Sequence, residues 1–110
     1  MIQEEFNLDD PTPADLEAVA GLLVFLGTRE GWTTAREIRA ELGHDDRRLR
    51  HLAAISGGLV VSGPGCPGYR HVLNCTAEEV RATAARLEAQ AEKMGRRARS
   101  IRAAAHRLIS

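Results

Sequence analysis

Arg47, Arg48, Arg50 and His51 place three guanidinium groups and an imidazole within five residues, interleaved with the apolar Leu49, Leu52 and Ala53. A guanidinium forks onto the O6 and N7 acceptors of guanine in a DNA major groove, and an imidazole donates to guanine or to phosphate. That chemistry needs the groups on one solvent-facing side. With Leu49 set at the core and 100° per residue, Arg47, Arg50, His51 and Ala54 point outward and Arg48 lies on a flank. Asp45 and Asp46 oppose phosphate, although Asp45 is expected to be spent as a helix cap. Thr33 and Thr34 stand upstream, where a hydroxyl and main-chain N–H groups can hold a phosphate. Arg70 follows a glycine- and proline-rich loop, within reach of a phosphate or minor groove. Strand alternation puts Tyr69, His71 and Leu73 on one face and Arg70 and Val72 on the other. One of those sets must be partly buried. Arg70 is the expected contact, and a Tyr69 that simply roofs the core is the competing expectation.

Other chemistries find less support. Cys66, His71 and Cys75, with His44 or His51, offer zinc-ligand types, but no Cys-x-x-Cys pair exists and the spacing is poor, so no metal is expected. The glycines of residues 63–68 fall between strands and not before a helix, so no phosphate loop is read there. His106, near a helix end, suits the dipole better than it suits a general base. Nothing pairs a nucleophile with a base. The expectation is a protein that is not an enzyme, with no cofactor and no small-molecule ligand.

The elements that must position these groups follow from caps and periodicity. Thr12-Pro13-Ala14-Asp15 combines a hydroxyl cap, proline at the first helical position and a carboxylate at the positive dipole end, which predicts a helix to about Thr28. Its stretch 18–26 is apolar almost all round and is expected to be covered on more than one side. Thr34 and Glu37 form a capping box opening a helix over residues 35–42, and Gly43 ends it. Asp45 caps a third helix reaching about Ser56, stopped by Gly57 and Gly58. In this pair Ile38 and Leu42 are expected to pack on Leu49, Leu52 and Ala53. Residues 59–62 and 69–73 are β-rich runs joined by the turn-rich 63–68, which predicts a hairpin. Thr76 and Glu79 make another capping box, and the helix that follows meets no stop signal before the C-terminus. This order predicts a mainly α fold with a small β-hairpin: a winged helix-turn-helix with a long C-terminal helical extension.

The chain has 110 residues, enough for one small domain with an appended element. The division expected is an acidic, poorly ordered leader over 1–11, the winged helix-turn-helix over 12–75 and the long helix over 76–110. Leu, Ile, Val and Phe number 25, so the core is thin. No apolar run approaches the roughly 18 residues of a membrane span. The acidic start at Met1 resembles neither a secretory signal nor a transit peptide, and two cysteines build no disulfide scaffold, so a cytoplasmic location with reduced thiols is expected. Fifteen basic and fifteen acidic groups cancel overall, but unevenly. Residues 1–30 carry seven acids against Arg29 alone, net −6, and residues 31–110 carry net +6. Fourteen of the fifteen basic residues are arginine, which GC-rich codon usage explains better than functional selection for arginine as a type.

The last helix holds an unbroken heptad seam: Val80, Ala84, Leu87, Ala91, Met94, Ala98, Ile101, Ala105 and Leu108 alternate steps of four and three. One row is bulky and the other is alanine. In a parallel coiled coil the alanine layers face each other and leave voids. In an antiparallel pair bulky residues face alanine. Residues 78–92 carry Glu78, Glu79, Glu88 and Glu92 with two arginines, whereas residues 93–110 carry six basic groups and no acid. Antiparallel pairing sets these halves against each other and predicts a two-fold homodimer. Packing of the seam on the chain's own first helix remains open, and so does contact of the basic tail with phosphates or with the acidic leader.

Gly31-Trp32-Thr33-Thr34-Ala35-Arg36-Glu37-Ile38, Asp46-Arg47-Arg48-Leu49-Arg50, Ser56-Gly57-Gly58 with Val61-Ser62-Gly63, Gly68-Tyr69 and Thr76-Ala77-Glu78-Glu79-Val80 resemble segments of small winged-helix DNA-binding proteins of phages and prophages. Gln90, Met94, Arg97 and Ile101 are similar to the tail helix of such proteins, and the resemblance spans about residues 12–105. It implies a non-enzymatic DNA-binding or regulatory protein in a bacterial cytoplasm. With the seam, the expectation is a dimeric transcriptional regulator that reads double-stranded DNA with helix 45–56 and a wing at 59–73. A winged-helix protein-interaction adaptor, a replication or assembly accessory, is the alternative.

Overall fold

The computed structural model describes residues 10–109, so the expected leader lies outside the described residues apart from Asp10 and Pro11. Four helices and one small hairpin follow in the order α1 (Pro13–Gly27), α2 (Ala35–Leu42), α3 (Asp46–Ile55), β1 (Val60–Val61), β2 (Arg70–His71), a 3₁₀ turn (Val72–Asn74) and α4 (Ala77–Ile109). The fold is mainly helical, with a two-stranded antiparallel hairpin and a long C-terminal helix.

Local chemistry sets the helix boundaries. Thr12 accepts from the Asp15 N–H and the Asp15 carboxylate accepts from the Thr12 N–H, a closed capping box with proline at the start of α1. Thr34 and Glu37 repeat the device on α2, which ends at Gly43 with φ 79°. Asp45 caps α3 by accepting from Arg48 N–H at 2.8 Å. The α1 helix lacks a glycine cap. The Thr28 N–H bonds back to Phe25 O and Leu26 O, and the Asn74 amide donates to Leu26 O at 3.4 Å and to Arg29 O, just past the helix, at 2.8 Å.

The core is small and fully buried at its centre. Leu22 and Leu26 of α1 meet Ile38 of α2 and Leu49 and Leu52 of α3, and Val19, Val60 and Tyr69 close the edges. Leu42 and Ala53 pack on this cluster half-buried, as the sequence predicts for the two short helices. The Ser56 hydroxyl, buried at the end of α3, donates to Ala53 O and accepts from Val60 N–H, so the helix terminus and β1 are fixed together. One expectation fails here. The α1 helix is covered along one stripe only: Leu16 is 55% exposed and Val24 72%. Its length of apolar sequence exceeds what two short helices and a hairpin can hide.

The hairpin is shorter than the β-rich runs predict. Val60 pairs with His71 and Val61 with Arg70, and the chain then turns into the 3₁₀ segment with Leu73 exposed. Alternation across 69–73 is therefore lost after His71, whose ring Nδ1 accepts from Leu73 N–H. A bridge joins the hairpin to the segment before α2: Thr33 N–H donates to Tyr69 O at 2.9 Å and Tyr69 N–H to Thr33 O at 2.8 Å. Gly68 makes this approach possible, because a Cβ there would run into the Thr33 carbonyl. Gly68→Ala is expected to break the bridge, costing about 1–3 kcal/mol and lowering Tm by about 5–20 °C. Thermal unfolding followed by circular dichroism checks it.

Helix α4 sets the longest dimension. Thirty-three residues give a rod of roughly 50 Å, and the longest extent is 57 Å. Its first turns dock on the hairpin: the Thr83 hydroxyl lies 3.5 Å from Cys66 Sγ, Arg86 donates to Pro64 O at 2.7 Å, and Leu87 lies over Gly63. The rest carries its large seam side chains in solvent, with Met94 64% and Ile101 59% exposed. The seam is not folded onto α1.

Candidate nucleic-acid interface

The outer face of α3 is built by burying the opposite one. Leu49 and Leu52 are fully buried, and this fixes the rotation of the helix so that Arg47, Arg50 and Ala54 stand exposed. Among the described residues, neither Arg47 nor Arg50 has an ion-pair or hydrogen-bond partner. Asp45 is committed to the helix N-terminus, as expected, and Asp46 remains an exposed acid beside these arginines.

Two members of the expected set face elsewhere. Arg48 Nη1 lies 2.5 Å from Asp15 Oδ1 and His51 Nε2 lies 3.4 Å from Asp15 Oδ2. A wheel centred on Leu49 puts Arg48 on a flank and His51 on the outward face with Arg47 and Arg50, but says nothing of what approaches there. The N-terminus of α1 does. Asp15 is buried at 7% exposure, and the Thr12 N–H, then the Arg48 guanidinium, hold its carboxyl well below the usual carboxylate range. The Asp15 carboxylate thus caps α1 and pins α3 to it at once, so Arg48 and His51 are positioning residues of the face that Arg47 and Arg50 present.

The linkage has a definite sign. A depressed carboxyl adds stability at neutral pH, and that stability drains away as pH falls below the ordinary value of 3.8 towards the lower folded one. Glu37, lowered by the Thr34 N–H, and Glu79, lowered by the Thr76 N–H, act in the same direction. Asp15→Asn is expected to lower Tm by on the order of 5 °C at pH 7, chiefly through the weakened cap and clamp. The decline of Tm below pH 4 should be shallower in that variant than in the parent, and a parallel decline would contradict the role of Asp15.

Arg70 is withdrawn from the expected interface. Its guanidinium donates to both Glu79 carboxylate oxygens at 3.1 and 3.2 Å and to Glu30 O at 2.5 Å, and it lies 5.6 Å from the Trp32 ring centroid. Its Nε is buried without a hydrogen-bond partner. The residue ties β2, the start of α4 and the loop before α2 together. Thr33 is corrected for a related reason: it is buried, with its backbone polar groups spent on Tyr69. Thr34 is exposed, but its N–H and hydroxyl are both bonded to the Glu37 carboxylate. Tyr69 roofs the core, and burial pushes its hydroxyl pKa up.

Burial likewise raises the Cys75 thiol, which leaves it a poor nucleophile. Among the described residues no three His, Cys, Asp or Glu side chains gather where a metal ion would bind, and no helix is long and apolar enough to cross a membrane. The sequence reading missed Asp15 and Glu79 as hubs. Each sits at the third position of a capping box, a place where a carboxylate has a free oxygen to share with a distant cation. Compared with known proteins, the chain matches no protein family, no curated sequence and no solved structure.

Proposed function

We propose that this chain is a non-enzymatic winged helix-turn-helix protein that binds double-stranded DNA, with α3 in the major groove and the hairpin as wing. The observation that carries the reading is the sorting of cations on α3. Arg48 and His51 are tied to Asp15, and Arg47 and Arg50 are left exposed and unpaired on a helix anchored by Leu49 and Leu52. A rigid helix presenting arginines near its N-terminal half suits guanine-edge recognition. The α2–Gly43–α3 geometry and the hairpin bridged to Thr33 support the same reading. With Arg70 committed inside, sequence reading rests on α3, and the hairpin acts through the backbone of its loop. The exposed seam of α4 supports an antiparallel homodimer presenting two α3 helices to a pseudo-palindromic site, the arrangement of a transcriptional regulator.

A protein-interaction adaptor is the second reading, favoured by the exposed Leu16, Val24 and Leu73. Titration of a generic duplex at 50–200 mM salt, followed by fluorescence anisotropy, separates the two. Phosphate neutralisation by four to six basic groups predicts a log–log slope of about −4 to −5, and an adaptor gives no binding to follow.

A further inference from the structure

A groove of about 670 Å³ runs between α3, the hairpin and α4, with Arg50, Ala54, Val60 and Tyr69 on one side and Leu87 and Gln90 on the other. Its walls are mostly apolar. One of them, Leu87, belongs to the exposed seam, so the groove opens directly onto the surface that a second α4 would cover. We propose that a second copy of this chain closes the groove: its α4, laid antiparallel on the seam, brings the partner's Arg97 to the groove mouth beside Arg50, and the DNA-facing surface is completed across the dimer. This rests on the DNA-binding, dimeric reading above.

Residue size narrows the register to two. Bulky seam positions must face alanines, and eight of the nine seam positions pair either with Leu87 opposite the partner's Ala105 or with Leu87 opposite the partner's Ala98 and Met94 opposite the partner's Ala91. The second alone pairs Val80 and is the register proposed. Gln90 and Arg97 each precede a seam alanine, Ala91 and Ala98, and so share one flank of the helix. In an antiparallel pair like flanks meet, so Gln90 and the partner's Arg97 become neighbours within about 3 Å along the axis. Gln90 lines the groove. Charge is compatible with the same occupant: the segment of α4 after Glu92 holds six basic groups and no acid, and it is set against residues 78–92, where four acids outnumber Arg81 and Arg86.

The test is a disulfide that only this arrangement permits. Gln90 and Arg97 lie two turns apart on their own helix, about 10.5 Å, beyond the reach of an intrachain bridge. With Cys66 and Cys75 replaced by serine, the double variant Gln90→Cys, Arg97→Cys is expected to form a covalent dimer on mild oxidation, mapped by peptide mass spectrometry to positions 90 and 97, while neither single variant in the same background does so. Separately, Arg97→Ala is expected to leave the dimer intact, weaken duplex binding about 3- to 10-fold at 0.1 M salt and reduce the salt slope by about 1. A dimer by light scattering that fails to cross-link, or that cross-links equally through either single cysteine, overturns the register and the closed groove. Cross-linking with unchanged DNA binding by Arg97→Ala overturns the shared surface. A monomeric parent overturns the dimer itself, and with it this inference, while leaving DNA binding by α3 standing.

Discussion

Replacing Arg47 and Arg50 together by alanine is expected to weaken duplex DNA binding by at least about 30-fold, at roughly 1–3 kcal/mol for each arginine that forks onto a base edge. The fold should not notice. Both side chains are exposed and neither has a hydrogen-bond or ion-pair partner among the described residues, so Tm is expected to stay within about 2 °C of the parent. Arg48→Ala supplies the contrast on the same helix. It removes the guanidinium from a buried carboxylate, so stability falls first and affinity follows only through the loosened seat of α3. Anisotropy titration and a melting curve on the three proteins separate a reading residue from a positioning one. Unchanged affinity in the double variant would reject α3 as the reader.

Ala91→Glu is expected to abolish the dimer. The position is at the middle of the seam and faces a bulky residue of the partner in the antiparallel register, so a two-fold pair must bury two carboxylates with no cation between them. Each unpaired buried charge costs several kcal/mol, more than one alanine-rich helix pair can offset. Within a single chain Ala91 is exposed, so the substitution leaves the domain itself folded. Light scattering should report a mass near 12.0 kDa for the variant and twice that for the parent. Affinity for a two-half-site duplex should drop with it, because the second half-site contact is no longer intramolecular. An equal mass for parent and variant would contradict the seam as the interface.

How far the sequence reached depends on the range of the interaction. Caps act within three or four residues, and the helices begin where Thr12, Thr34, Asp45 and Thr76 say they should. The heptad rows of α4 were legible for the same reason: 3.6-residue periodicity is a local property. Burial of Leu49 and Leu52 could be read from periodicity, and with it the exposure of Arg47 and Arg50. What escaped were partners distant along the chain. Arg48 and His51 meet a carboxylate 33 and 36 residues away, and Arg70 meets a carbonyl 40 residues before it. A helical wheel gives the direction of a side chain, not the element waiting there. The hairpin misled differently. Five β-rich residues after the loop promised alternation, but only two ladder pairs form before His71 bonds back to Leu73 N–H and turns the chain.

Backbone amide shifts of the labelled protein, followed as a short duplex is titrated in, test the claim that α3 is the DNA-facing element most directly. The largest changes are expected along the outer face of α3, at Arg47, Arg50 and Ala54, with Thr33 and Arg70 little affected. Changes confined to residues 93–109, or to α1 and the hairpin with α3 silent, would contradict it.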